Sequence, residues 1–394
     1  MRTQLENNTL TVYLEGRIDT GNAPQIEREL LAAADGAAGA AVTLDADALD
    51  YISSAGLRVR MKLRKRQGAA LPVVNVSPEV YEIFETTGFT ELLDVRKKLR
   101  EFSVEGCEKI GQGGDGAVYR LDEDKIVKVY RPGKALSAIE KERSFARTAF
   151  LNGIPSVIAY DTVRVGESYG VVFELLRSDT LGHAMRDNPD KLREYVDQYV
   201  ALAKTLHSTH MPKGSIPDVR DILRARVMNL SRWCSEEELR VLRGIVDSMP
   251  ERDTVIHGDL HPGNIMIQDG ELLLIDMAEV SVGPAVLDLS SIFRDMIAGA
   301  RTDVAVTEST IGMPVDMVEQ VAQLFFVKYT GITDPAALRE YFDALTLIFA
   351  LNTVLLVGSG VADTEAYAPS IMDNLLRPVV LPNEQVICSL IQTM

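Results

Sequence analysis

The stretch His257-Gly258-Asp259-Leu260-His261-Pro262-Gly263-Asn264 decides how this chain is read. An apolar run comes next, Ile265-Met266-Ile267, then Asp269-Gly270, then Leu272-Leu273-Leu274-Ile275 ending on Asp276. Asp-Gly between two apolar runs is the strongest short-range signal for a hairpin, because both central turn positions need positive φ. A lone Asp or His in a loop is usually a cap. Here eight residues stand in a fixed order, and a carboxylate ends the second apolar run. His257 and His261 lie four apart, as zinc ligands on a helix would. Pro262 and Gly263 break any helix there, and no third ligand is evident, so histidine metal binding is the poor reading.

Ile110-Gly111-Gln112-Gly113-Gly114-Asp115-Gly116-Ala117-Val118-Tyr119 lies well upstream, between two strand-like stretches. A glycine cluster alone marks only a turn. This one joins two strands and opens no helix, which argues against a dinucleotide fold and suits the hairpin that covers ATP phosphates in kinases. Asp122 to Lys125 then turns the chain into Ile126-Val127-Lys128-Val129-Tyr130. A lysine on a central strand is costly to bury unpaired, so Lys128 is the candidate for the α/β-phosphates. Its carboxylate partner should come from the next helix. Ile139, Glu142, Phe145, Ala146 and Ala149 share one helical face, which selects Glu142 over Glu140. Val171 to Leu176 reads as an apolar strand ending in a connector.

Together these features resemble the aminoglycoside/choline phosphotransferase branch of the protein-kinase-like fold, over residues 104–394. The resemblance implies an α+β bilobal domain, with one lobe over about 104–176 and the other over about 177–394. It implies that ATP is held by Gly111, Gly113, Gly114, Gly116, Val118 and Lys128, with Glu174 and Leu176 at the adenine. Asp259 would orient the acceptor hydroxyl or take its proton, and Asn264 and Asp276 would hold Mg²⁺, which prefers oxygen ligands. His257 and Asp288 would brace the loop. Met277 departs from the aromatic that often follows the metal-binding Asp. A dozen positions separate Asp276 from Asp288, too few for the long peptide platform of most protein kinases. That favours a small hydroxyl-bearing acceptor. Asp187 and Glu279 could suit a cationic one, although a solvated acidic surface explains them better.

The first hundred residues alternate strands with helices, which predicts an α/β layer with a largely parallel sheet. Leu10 to Leu14, Ala41 to Leu44 and Leu71 to Val76 read as strands. Asn22-Ala23-Pro24, Ser54 and Pro78 open helices, and Gly68 and Gly88 close two of them. Leu14-Glu15-Gly16-Arg17-Ile18-Asp19, Tyr51-Ile52-Ser53-Ser54-Ala55-Gly56-Leu57 and the Pro78-to-Gly88 helix resemble a STAS domain over residues 1–100, the module of anti-anti-sigma factors. In signalling members a serine at this helix start is phosphorylated, which makes Ser54 a candidate phosphoacceptor and the surrounding face a candidate protein-binding surface. Ser53 stands where many members carry Asp. A serine at a helix start can equally cap it. Arg58, Arg60, Lys62, Arg64, Lys65 and Arg66 make the same helix basic. They read as a solvated face, with docking against an acidic surface as the alternative. The charged run Arg96-Lys97-Lys98-Leu99-Arg100-Glu101 reads as a linker. Domain order, glycine loop and catalytic motif together resemble a bacterial family of STAS–phosphotransferase fusions.

The chain has 394 residues, a formal net charge of −16 and a 46% hydrophobic content. Its acidity argues against non-specific binding to nucleic acid or anionic lipid. Cys107, Cys234 and Cys388 lie far apart and fit a reducing cytoplasm. No apolar signal core opens the chain. The segment from Ala344 to Ala362 is uncharged and long enough to span a membrane. Its polar residues and acidic flanks favour a core helix instead. Three functions stay open: a small-molecule kinase regulated by its STAS domain, a protein-serine kinase acting on a STAS serine, and a non-enzymatic ATP-sensing switch.

Overall fold

The computed structural model describes the chain except for Asn7, Ala38, 68–70, 114–115, 361–365 and Met394. The Gly68 helix stop and Gly114 of the glycine loop lie outside the described residues. The chain divides into two units, Met1–Phe102 and Ser103–Met394.

In the first unit, β1 (Arg2–Glu6), β2 (Thr9–Ile18), β3 (Ala41–Ile52), β4 (Val73–Val76) and β5 (Val95–Lys97) form a sheet in that order. Only the β1–β2 pair is antiparallel. The reason is the connections. β1 reaches β2 by a tight turn, whereas α1 (Ala23–Gly36), α2 (Ser54–Gln67) and α3 (Pro78–Thr86) carry the chain back between the parallel strands. Val12, Leu44 and Val73 pack with Leu57 and Leu63 of α2 and Phe84 of α3 in one core. The two edge strands escape hydrophobic patterning. β1 is exposed throughout, and Val95–Lys97 is a parallel strand beside β4 that overlaps the start of the run read as a linker. Edge strands are held by backbone pairing and often carry charge. A single turn, α4 (Phe89–Leu92), and a two-residue strand, β6 (Arg100–Glu101), complete the unit.

The start of α2 corrects the sequence reading. The Ser53 hydroxyl accepts the Gly56 N–H at 3.4 Å, and the Ser53 carbonyl accepts the Leu57 N–H at 3.0 Å. Ser53 is therefore the cap, in a role generally worth about 1 kcal/mol. Ser54 is the first helical residue, exposed, and its hydroxyl makes no hydrogen bond among the described residues. The basic face is also smaller than its sequence suggests. Arg60 is 2% exposed and donates to the Leu71 carbonyl at 2.5 Å, with its guanidinium 5.6 Å from the Phe84 ring centre. Lys62 pairs with Glu27 at 2.9 Å and Arg66 with Asp35 at 3.0 Å. The acidic surface that α2 meets is thus, in part, α1 of its own unit.

The second unit opens with β7 (Lys109–Gln112), β8 (Gly116–Arg120), β9 (Lys125–Tyr130), α5 (Leu136–Leu151), β10 (Ala159–Val165) and β11 (Ser168–Glu174). These strands pair antiparallel in the order β10-β11-β9-β8-β7. Gly116 is required by contact. A Cβ there would lie 2.0 Å from the Val129 carbonyl oxygen. The rest is mostly helical: α6 (Leu181–Asp187), α7 (Leu192–Ser208), α8 (Val219–Asn229), α9 (Glu236–Asp247), α10 (Val286–Phe293), α11 (Gly299–Thr302), α12 (Val304–Ile311), α13 (Val315–Thr330) and α14 (Pro335–Val357). Two short ladders interrupt the helices, β12 (Val255–Ile256) with β15 (Ser281–Val282) and β13 (Ile265–Gln268) with β14 (Glu271–Leu274). Asp269 and Gly270 take φ of 52° and 87°, the two-residue turn expected from their pairing. Helix α14 is long and apolar enough by length and composition to cross a membrane. Its Leu345, Ile348, Leu351, Val354 and Leu355 are buried in the core of the helical region.

Candidate active site

Lys128 lies on β9, a strand flanked on both sides. It pairs with Val118 of β8 and Val171 of β11. That placement explains a side chain only 17% exposed. Its ammonium lies 3.5 Å from Glu142 Oε1 and 3.2 Å from Asp276 Oδ1. Glu142 is buried on α5 beside Ile139, Ala146 and Ala149, the face that the helical spacing selects.

The hairpin β13–β14 brings Asn264 and Asp276 together. Ile265 pairs with Leu274, and the Ile275 N–H donates to the Asn264 carbonyl at 3.0 Å. Asp276 then takes φ 59°, ψ 64°, a left-handed conformation uncommon outside glycine and concentrated at functional sites. The Asn264 amide nitrogen donates to both the carbonyl and Oδ2 of Asp259, each at 3.0 Å. With its NH₂ committed, Asn264 turns its oxygen away from Asp259. An amide oxygen and a carboxylate together suit a hard divalent cation such as Mg²⁺.

Asp259 is held from three sides. Besides Asn264, Arg294 Nη2 donates to Oδ1 at 2.8 Å, and His261 Nε2 lies 3.5 Å from Oδ2. Burial pushes the Asp259 carboxyl up, but the hydrogen bond from His261 and the charge of Arg294 outweigh it and hold the group well below the usual carboxylate range. The loop beneath is fixed by Asp288, wholly buried on α10. Its carboxylate accepts the His257 N–H at 2.8 Å and the Gly258 N–H at 2.7 Å, and meets His207 Nε2 at 3.0 Å. His257 accepts the Asp259 N–H on Nδ1 at 3.3 Å, which leaves Nε2–H to donate to the Ile275 carbonyl at 3.1 Å. This tautomer ties the loop to the end of β14. Tyr199 donates to the Leu260 carbonyl at 2.9 Å, and burial keeps its phenol protonated.

At the glycine hairpin, the Gly113 N–H donates to the Gly116 carbonyl at 2.9 Å, and Gly111 pairs with Val118. Beyond β11, the Leu175 N–H is taken by the Asp124 carbonyl and the Arg177 N–H by Gln268 Oε1. The Leu176 N–H between them has no partner among the described residues, so it is the donor open to a ligand. The Glu174 side chain is folded onto the Ile158 N–H at 2.7 Å. It braces the connector, and the Glu174 N–H is itself taken by the Ile158 carbonyl at 3.2 Å.

Sequence reasoning missed Arg294 and Asp295. They open a π-helical turn, Arg294–Ala298, at the end of the buried helix α10. Such turns often occur at functional sites. Arg294 grips Asp295 through Nε at 2.7 Å and Nη2 at 2.8 Å, so one guanidinium bridges two carboxylates. An Arg-Asp pair ending a largely apolar helix was the available signal. Asp295 also supplies the third group near Asp259 and His261 that the sequence did not reveal. The Arg294 guanidinium offsets part of the charge on those two carboxylates. Arg294→Met is expected to lower turnover about 10- to 100-fold, since small misplacements of reacting groups have effects of that size. A steady-state assay checks this.

The sequence profile of the phosphotransferase enzyme family matches residues 106–315, and that of the STAS domain matches residues 1–102. Over 90 residues the chain is 42% identical to a candidate anti-sigma factor antagonist of Bordetella bronchiseptica, covering 22% of this chain and 76% of that protein. Over 94 residues it is 30% identical to the anti-sigma-B factor antagonist of Bacillus subtilis, covering 23% and 84%. Among solved structures, a streptomycin–ATP ternary complex of an aminoglycoside phosphotransferase is 14% identical, with 78% of this chain and 99% of that one covered and a TM-score of 0.43.

Proposed function

This chain belongs to the phosphotransferase enzyme family and carries an N-terminal STAS domain, and on that premise we propose that it transfers the γ-phosphoryl group of ATP to a hydroxyl of a small molecule, in the cytoplasm and under STAS control. The observation that carries the reading is the convergence of Asp259, Asn264, Asp276 and the Lys128–Glu142 pair, drawn from four separate stretches of the chain. Lys128 would meet the α/β-phosphates, and the open Leu176 N–H the adenine. Asn264 and Asp276 would hold Mg²⁺, which when bound neutralises charge on the phosphates. Asp259, kept ionised, accepts the hydrogen bond of the acceptor hydroxyl and orients its oxygen. Its proton passes to Asp259 as the new O–P bond forms and the bond from the γ-phosphorus to the bridging oxygen breaks, releasing ADP.

A small acceptor is favoured by the short path of the chain beyond Asp276. The chain makes one turn at Met277–Glu279, then pairs Ser281–Val282 with Val255–Ile256 and enters α10. That path is too short and too tightly paired to form a peptide platform. A second reading, phosphorylation of a STAS serine, is favoured by Ser54, which is exposed and makes no hydroxyl hydrogen bond among the described residues while Ser53 caps the helix. A phosphate there would face the positive end of α2.

Intact-mass analysis after incubation with Mg-ATP separates the readings. The small-molecule reading predicts no added phosphate, with ATP consumed only when an acceptor is supplied. A phosphate that appears on the wild type and vanishes in Ser54→Ala would overturn it in favour of the serine kinase.

A further inference from the structure

The Asp259 carboxylate keeps one place for an acceptor hydroxyl, and that place lies beside Arg294. An ionised carboxylate offers about four lone-pair sites. At Oδ2 the Asn264 amide donates at 3.0 Å, and His261 Nε2 stands at 3.5 Å. At Oδ1 only Arg294 Nη2 donates among the described residues, at 2.8 Å. The acceptor hydroxyl therefore meets the second lone pair of Oδ1.

The guanidinium is planar, and its donors form a rigid fork. One edge of that fork, Nε and a hydrogen of Nη2, grips Asp295 at 2.7 and 2.8 Å. The other Nη2 hydrogen lies on the end of the fork and goes to Asp259. Nη1 shares that end, so one of its N–H bonds runs alongside the Nη2 bond and past Oδ1. Nη1 makes no hydrogen bond among the described residues, and the Arg294 side chain is 33% exposed.

We propose that Arg294 Nη1 binds the acceptor directly and selects a neutral polyol, whose oxygen next to the reacting hydroxyl takes the open N–H bond. The inference rests on reading Asp259 as the partner of an acceptor hydroxyl. A hydroxyl on Oδ1 carries its neighbouring carbon toward Nη1. A second oxygen on that carbon satisfies the donor, whereas a methylene displaces its water and gives nothing back. An ammonium at the same point meets a group of like charge. A carboxylate there joins Asp259 and Asp295, which already outnumber the one charge of Arg294. A vicinal diol avoids both repulsions.

Initial rates of ADP release by the full chain with Mg-ATP test this. The probes are the polyols glycerol, D-ribose and myo-inositol, their deoxy counterparts 1,3-propanediol, 2-deoxy-D-ribose and cyclohexanol, and the amino alcohols choline and ethanolamine. The wild type should release ADP above the acceptor-free rate with at least one polyol. Its kcat/KM should be about 10- to 100-fold lower for the deoxy counterpart, the weight of one hydrogen bond to a charged group. Arg294→Lys keeps a cation between Asp259 and Asp295 but has no second arm. It should bring the kcat/KM values of the pair close together, mainly by raising KM for the polyol. A residue that only positioned Asp259 would lower both values equally and keep their ratio. A kept ratio, or ADP release with an amino alcohol and no polyol, would overturn the proposal and leave phosphoryl transfer standing. No release with any probe would overturn it as well, and a calorimetric Kd for Mg-ATP then shows whether the ATP reading falls too. Should Arg294→Lys fail to fold, the wild-type comparison still decides the acceptor class.

Discussion

Asp259→Asn should lower phosphoryl transfer about 10²- to 10⁴-fold, the usual contribution of a positioned general base, while leaving the fold intact. The size reflects how the carboxylate is held. Arg294 donates to one oxygen and Asn264 to the other, so both positions require an acceptor. An amide has only one oxygen and would turn its NH₂ against one of these donors. The acceptor hydroxyl would then lose both its proton acceptor and its alignment. ATP affinity should change little, because Asp259 is not assigned a contact with the nucleotide. Steady-state kinetics with a calorimetric Kd for Mg-ATP separates the two effects. The sign of the pH dependence is set by the same contacts. His261 and Arg294 hold the Asp259 carboxyl below its ordinary value against the effect of burial. Its contribution to stability is therefore complete above the ordinary carboxylate pKa of about 3.9, and is lost only as pH falls toward the lower folded value. Activity should show no acid limb from this group between pH 5 and 7.

Asp288→Ala should be the most destabilising single change near the site. The carboxylate is fully buried and serves the N–H groups of His257 and Gly258, together with His207. Its removal orphans two buried backbone donors, each costing about 1–3 kcal/mol, and leaves His207 with one partner fewer. A total of about 3–5 kcal/mol is expected. At roughly 2–4 °C per kcal/mol for a domain of this size, Tm should fall by about 10 °C. Phosphoryl transfer should fall as well, because Asp259 comes directly after the two residues whose N–H groups are released. Calorimetric melting checks the first effect. Asp288→Asn, which keeps one acceptor oxygen, should lose less. A change of under 2 °C in Asp288→Ala would show that the loop is braced elsewhere.

Much of this was legible in the sequence because the chemistry is local. The pair Asp269-Gly270 specifies its own turn, and that turn brings Asn264 and Asp276 side by side. Glu142 could be separated from Glu140 by helical spacing alone, because α5 buries one face against the sheet. The positions that misled depend on long-range packing. Ser53 and Ser54 are indistinguishable by type, and only the point at which the chain leaves β3 makes the first the cap and exposes the second. Arg60 reads as one of a row of surface cations, yet it lies inside the first unit because the Leu71 carbonyl meets it there. Val95–Lys97 carries no apolar alternation, since an edge strand is held by its neighbour's backbone. Arg294 comes from a different helix, 35 residues beyond Asp259, so no spacing rule linked the two.

ATP-dependent transfer through Asp259, with the metal carried by Asn264 and Asp276, can be followed in the ³¹P spectrum of Mg-ATP with the wild-type protein and pooled hydroxyl-bearing metabolites, beside Asp276→Ala. The wild type should show loss of the γ-phosphate resonance, growth of ADP and a new phosphomonoester signal, and Asp276→Ala a rate at least about 10³-fold lower, in keeping with the weight of electrostatic terms in phosphoryl transfer. ATP left intact with every pool, or a phosphomonoester formed equally fast by Asp276→Ala, would contradict this mechanism.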